Sequence, residues 1–336
     1  MRRLIKLLIF ILALVGFFLI MEKLPKALSY KKSNPWKSDK VLIIPHGGAK
    51  ALYPENTIYS FLKTDIYDAF EVDLALTKDD ILISHHDLNL KMHLGDDYTN
   101  TLVRSKTYQE ILDLFILEDY PFARDFEDIN GNKPYENLSS DDEVIKQMIP
   151  ATLDWLFEKY PDKMYILEIK DTKNEADFTK AVDILLEKLE EYEMTDKVII
   201  SSFEDKVIKD VLKKAPLHTS TATKETFKFV LMSAFNIDFF YKPKQAALII
   251  PINQRVSSGQ ANIIKYLPVK NKFMANENTT NLAKAGIIND AKRHNMAIIY
   301  WTINDPEEMR LLIELGVDAI ITDRPDLLKE VLLEYE

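Results

Sequence analysis

Glu71 and Asp73 stand two residues apart, and His85 and His86 follow within the same stretch, EVDLALTKDDILISHHD at 71–87. On an extended strand, alternate side chains leave the same face, so the two carboxylates can converge on one cation. Thr77, Lys78, Asp79 and Asp80 form a turn leading into the apolar run Ile81–Ile83, which ends at Ser84, His85, His86 and Asp87. An imidazole is thereby returned towards the carboxylates. Glu168 and Lys170 repeat the two-residue spacing in LEIK, and His46 follows a short apolar run that ends at Pro45. Oxygen donors with a nearby imidazole suit a hard divalent cation, Mg²⁺ or Ca²⁺, and proton transfer beside it.

The elements that must position these residues alternate between short apolar runs and helical periodicity. Strands are expected near Val41, Phe70, Met164, Val198, Leu217, Ala247, Ala297 and Asp318. Helices between them are marked by caps and apolar stripes, such as Thr107 with Glu110 three residues on, and Asp305 before Pro306. The run Ile81–Ser84 lies too close to its predecessor for a parallel crossover and reads as a hairpin partner. Residues 118–148 are acidic and lack a sustained period, so they read as a loop or lid; the stretch with Ser257, Ser258 and Gly259 reads as irregular. Eight strands alternating with helices predict a (β/α)8 TIM barrel, whose active sites lie at the C-terminal strand ends. His46, Glu71, Asp73, Glu168 and Lys170 all fall towards such ends.

Neighbouring second and third barrel strands would bring Glu71, Asp73 and Glu168 together as a three-carboxylate site. With one divalent ion that set retains a negative charge, so an anionic substrate needs Lys170 as well. Two histidines flanking a metal-bound phosphate, His46 and His86, would serve as general acid and base, which suits phosphodiester cleavage. His85 is an alternative to His86. His85, His93, His218 and His294 otherwise read as turn or core residues.

The chain has 336 residues, 47% hydrophobic, enough for one large domain. Its net charge is −10 and its pI about 5.3, without a basic stripe, which argues against nucleic acid as a partner. The absence of cysteine excludes disulfides, thiolate metal sites and thiol nucleophiles. Arg2, Arg3 and Lys6 precede an apolar run from Leu7 to Met21. Residues 1–22 are therefore expected to be an N-terminal transmembrane or signal-anchor helix, with Ala27, Leu28 and Ser29 a weak cleavage site. Residues 23–39 read as a juxtamembrane linker and 40–336 as the catalytic domain. The expected location is membrane-anchored with the domain extracytoplasmic, or secreted if the segment is cleaved.

HGGAKALYPENT at 46–57, EVDLALTKDD at 71–80, HHD at 85–87, LEIK at 167–170, SSF at 201–203, WTIN at 301–304 and GVDAIITDRPD at 316–326 together resemble the glycerophosphodiester phosphodiesterase family, of the phospholipase-C-like TIM-barrel superfamily. The resemblance runs from about Val41 to the C-terminus. It implies metal-dependent hydrolysis of glycerophosphodiesters to glycerol phosphate and an alcohol. His46 and His86 would be the acid/base pair, Glu71, Asp73 and Glu168 the metal ligands, and Lys170 a phosphate contact. Glu55 and Asn56 would order the first loop, Trp301 and Asn304 line the pocket, and Asp323 buttress a strand end. One departure stands out: the family usually carries Arg after the first histidine, where this chain has Gly47, and Lys50 cannot reproduce an arginine fork. An apparent anchor beside the barrel adds lysophospholipids as alternative substrates, through lysophospholipase D chemistry. Gly47 adds the alternative of a catalytically weak phosphodiester-binding surface protein.

Overall fold

The computed structural model describes residues 2–23, 28–171, 173–255, 274–276 and 278–336, leaving aside the side chains at 4, 18 and 21–23. Ala27 of the weak cleavage site and the Ser257, Ser258, Gly259 stretch lie outside the described residues. The strands are β1 (Leu42–Pro45), β2 (Ala69–Leu76), β3 (Leu82–Ser84), β4 (Met164–Ile169), β5 (Val198–Ser201), β6 (Ala247–Ile250), β7 (Asn253–Arg255), β8 (Thr279–Asn281), β9 (Ala297–Tyr300) and β10 (Ala319–Thr322).

Parallel ladders run β1–β10–β9–β6 on one side and β2–β4–β5 on the other. They are joined by Thr219 and Ser220, which bridge to Ile200 and Ala247. The expected strand from Leu217 to Ser220 is thus reduced to two bridging residues, but it occupies its place in the ring. On the remaining side the Ile43 amide donates to Asp68 Oδ2 at 2.7 Å, just before β2. The TIM-barrel expectation holds. β3 pairs antiparallel with β2, as the short turn requires, and β7 pairs antiparallel with β8, which the sequence pattern did not suggest.

The barrel interior holds Ile44, Ile166, Ile199, Ile299 and Ile321 above small residues, Ala69, Ala247, Ala297 and Ala319, that begin four strands. Trp36, fully buried, fills the space those alanines leave. It arrives on a segment tied to the N-terminal face: Asn34 Nδ2 donates to Ala246 O, the Tyr30 amide to His294 O, and the Ser38 amide to Asp318 Oδ1. Much of the expected linker therefore packs as part of the barrel, because Tyr30 and Trp36 have apolar surface to bury.

Residues 118–148 also differ from a loose lid. Tyr120, Ala123, Tyr135, Ile145 and Met148 pack with Ile111 and Phe115 of the Tyr108–Leu117 helix into a separate apolar cluster. Apolar side chains scattered among acidic ones supply that core without a readable period.

The N-terminal run forms a helix, Arg2–Lys23, with exposed apolar side chains such as Phe10 and Leu12. Among the described residues, no helix is long and apolar enough to cross a membrane. The apolar run Leu7–Met21, carried on the Arg2–Lys23 helix, rises only about 22 Å, against ~30 Å of bilayer hydrocarbon. The expected transmembrane or signal-anchor helix is therefore unsupported by the structure.

Candidate active site

β2 and β4 pair in register with Asp73 opposite Glu168, while Glu71 lies two residues back along β2 on the same face. Ligand atoms of Glu71, Asp73 and Glu168 all lie within 4.8 Å of one another. Three carboxylates so close repel, and the surroundings answer in several ways. Lys170 Nζ lies 2.9 Å from Asp73 Oδ1 and 3.0 Å from Glu168 Oε1. Burial opposes charge on Lys170, but these two anions prevail and raise its pKa. Burial likewise opposes charge on Asp73, yet Lys170, His86 and the Asn56 amide hold its carboxyl below the ordinary value. Glu71 accepts a bond from the Gly47 amide at 2.8 Å. Burial and then Asp73 push its pKa to about 8, against the pull of His46 and Lys170. Glu168 is also raised by burial. Three oxygen donors this close, with burial and Asp73 raising the Glu71 pKa, fit a hard divalent cation.

The first loop supports this cluster. Asn56 is fully buried with φ +55°, donates to Asp73 Oδ2 at 2.9 Å, and passes its backbone amide to Gly47 O. Gly47 itself has φ +52°, and a Cβ there would come 3.2 Å from Asn56 Nδ2 and 3.3 Å from Glu55 Oε2. A side chain at this position would therefore be strained and crowded. Glu55 Oε2 is buried without a hydrogen-bond partner, and burial raises the Glu55 pKa.

His46 sits directly after β1, and its Nδ1 lies 2.7 Å from Asp323 Oδ1 at the end of β10. Burial works against the imidazolium. The Asp323 hydrogen bond and the fields of Glu71, Asp323 and Asp73 outweigh burial and raise the pKa to about 9. Asn304 fixes that carboxylate: its Nδ2 donates to Asp323 Oδ2 at 2.6 Å, and its Oδ1 accepts from the Asp323 amide. His86 is half exposed after β3, with Nδ1 2.9 Å from Asp87 Oδ1. His85 is fully buried, its Nδ1 bonded to Asp87 O at 2.6 Å.

One cavity of about 330 Å³ gathers His46, Glu71, His86, Glu168 and Lys170. Its opposite wall is largely apolar: Phe203, Phe227, Val230, Ile249, Leu282 and Trp301. Trp301 stands edge-on to Phe203, ring centroids 5.4 Å apart. Asn304, expected along the pocket, lies behind His46 through Asp323 and is not among the lining residues. Residue types alone gave little sign of the His46–Asp323–Asn304 chain. Closing the barrel supplies the missing signal, since it places the end of β10 beside that of β1.

The family model for the glycerophosphoryl diester phosphodiesterase family matches residues 46–327. The chain belongs to this family. Its members are phosphoric diester hydrolases, and the matched span contains every site residue named above. A glycerophosphodiester phosphodiesterase of Caldanaerobacter subterraneus is 25% identical over 297 residues, covering 86% of this chain and 96% of that protein. A lysophospholipase D of Rattus norvegicus is 23% identical over 335 residues, covering 95% and 93%. The fold is shared with a phosphodiesterase of Oleispira antarctica solved with the product sn-glycerol-3-phosphate, at TM-score 0.56 and 18% identity, over 87% of this chain and 96% of that one.

Proposed function

We propose that the protein hydrolyses glycerophosphodiesters to glycerol phosphate and an alcohol, with Glu71, Asp73 and Glu168 holding one divalent cation, Mg²⁺ or Ca²⁺. The observation that carries this reading is the meeting of Glu71, Glu168, Lys170, His46 and His86 around one cavity, with Asp73 within 4.8 Å of the other two carboxylates. Such a cation, when bound, neutralises charge developing on the phosphate. The chain's own residues do the rest. Lys170 contributes a positive charge held in place by Asp73 and Glu168. His46, kept protonated by Asp323, is suited to deliver a proton to the leaving oxygen, and half-exposed His86 to exchange one with the attacking hydroxyl. Either the substrate's own glycerol hydroxyl or water serves as nucleophile. Glu55 and Asn56 order the first loop, and Trp301 contacts the substrate from the far wall.

A second reading, lysophospholipase D activity, is favoured by the apolar wall of Phe203, Phe227, Val230 and Leu282, which suits an aliphatic chain. A panel of glycerophosphocholine and lysophosphatidylcholine, read by choline release with EDTA and add-back of Ca²⁺ or Mg²⁺, tests both. Metal-dependent turnover that vanishes with Glu71→Ala supports hydrolysis. Binding without turnover would instead make the protein a surface receptor for phosphodiesters.

The Arg2–Lys23 helix is assigned, as part of the same proposal, to hold the protein at a membrane with its domain outside the cytoplasm. Support comes from the apolar run after Arg2, Arg3 and Lys6. Recovery of the full chain in a soluble fraction within intact cells would defeat it.

A further inference from the structure

The site needs a positive charge for the substrate that its resident groups do not leave free. Lys170 is engaged by Asp73 and Glu168 at 2.9 and 3.0 Å. Together with a divalent cation it only balances the three carboxylates. A phosphodiester adds one negative charge, and the neighbouring Glu55 carboxyl adds to the field when ionised.

Among the described residues, the cavity is lined by two further cations, Lys50 and Arg255. Among the described residues, neither has an acidic partner within ion-pair distance. Their places in the ring differ. Arg255 ends β7, which follows β6, and β6 lies across the barrel from the carboxylate strand β2. Lys50 follows β1, beside β2. The turn after His46 is tight: the Ala49 and Lys50 amides both point back to His46 O, at 2.9 and 3.4 Å, with Ala49 at φ +71°. Lys50 thus returns within one turn to the catalytic end of the cavity. Its charge reaches Glu55 and Asp323, the carboxyls around His46: it opposes the rise that burial imposes on Glu55 and adds to the lowering of Asp323. Position 47 is closed to this task, because Gly47 is left-handed, crowded, and commits its amide to Glu71.

We propose that Lys50 is a substrate-binding residue that pairs with the phosphate on the His46 side, opposite Lys170. The two ammonium groups then divide the work: Lys170 stays in the carboxylate cluster, while Lys50 is exposed and free to close on an incoming anion. Being a point charge on a flexible stem, Lys50 places little geometric demand on the ester and gains from substrate charge above all.

This inference rests on the proposed hydrolytic reading, and the test separates the two. Binding of sn-glycerol 3-phosphate is measured calorimetrically for the wild-type chain, Lys50→Met and Lys50→Arg, loaded with Mg²⁺ or Ca²⁺, beside glycerophosphocholine turnover. We expect Lys50→Met to weaken product binding roughly tenfold or more and to flatten its salt dependence. Lys50→Arg restores most of both. Lys50 is exposed, so folding should be unaffected, and an unchanged thermal midpoint checks this. Wild-type binding and turnover with Lys50→Met indistinguishable in affinity and salt slope would overturn the role of Lys50 alone. A wild-type chain that neither binds nor turns over the substrate would defeat the hydrolytic reading, and this role with it.

Discussion

His46 Nδ1 and Asp323 Oδ1 lie 2.7 Å apart although 277 residues separate them in the chain. This contact, with the fields of Glu71 and Asp73, raises the His46 pKa to about 9 against the pull of burial. Asp323→Asn should move the alkaline limb of the kcat/KM profile roughly one to two pH units lower. The sign follows from the charge: losing the anion destabilises the imidazolium, so its proton leaves at lower pH. An unshifted limb would show that another group sets it. Asn304→Leu should move the limb in the same direction but less, because Asp323 keeps its charge and loses only its orientation.

Metal binding should release a proton near neutral pH. Glu71, with its pKa at about 8, is largely protonated at pH 7 without metal and must ionise to act as a ligand. Apparent affinity for Ca²⁺ or Mg²⁺ should therefore rise up to about tenfold per pH unit below 8. Calorimetry in buffers of different ionisation enthalpy counts the proton directly. Glu71→Gln should abolish the release and most of the affinity.

Lys170→Met should separate metal binding from turnover. Lys170 competes with a cation for Asp73 and Glu168, so its removal should leave metal affinity equal or higher. Turnover should nevertheless fall roughly a hundredfold, as expected for one lost electrostatic contact to the reacting group. Parallel loss of both would mean that Lys170 only holds the carboxylates apart.

His85 and His93 should make the fold acid-sensitive. Burial pushes His85 down to about 4 and His93 well below its ordinary value. Between pH 6.5 and 4 the unfolded chain binds protons that these folded imidazoles refuse, so stability falls as pH falls. The slope approaches about 1.4 kcal/mol per pH unit for each histidine. Thermal melts of wild type and His93→Phe across that window should diverge, with the variant less steep.

Trp36→Ala should destabilise the fold by about 3–5 kcal/mol, the range for deleting a large buried aromatic. Turnover per folded molecule should hold, because the indole lies at the opposite end of the barrel from His46.

The three carboxylates were legible because Glu71, Asp73 and Glu168 lie on strands whose period of two is written in the sequence. Glu71 with Asp73 and Glu168 with Lys170 declare a shared face by spacing alone. The structure adds the register, Asp73 opposite Glu168, which joins the two pairs. What could not be read arises from tertiary closure. Asp323 meets His46 only because the last strand lies against the first. Leu217 to Ser220 shows a strand pattern yet keeps only two bridging residues. The cluster around Tyr120, Tyr135 and Ile145 is built from side chains with no common period. Tyr30 and Trp36 lay in a stretch whose lysines and prolines suggested a spacer, and burial of two aromatics decided otherwise.

The Trp36 segment also orients the molecule. It enters the barrel on the face where the strands begin, whereas His46, Glu168 and the cavity lie where they end. On the proposed anchoring, a surface gripped by the Arg2–Lys23 helix would sit behind the catalytic mouth, and the enzyme would face outward from it. Substrate must approach from the open side, so diffusible esters are met head-on. A lipid drawn from that same surface must first leave it and travel around the barrel.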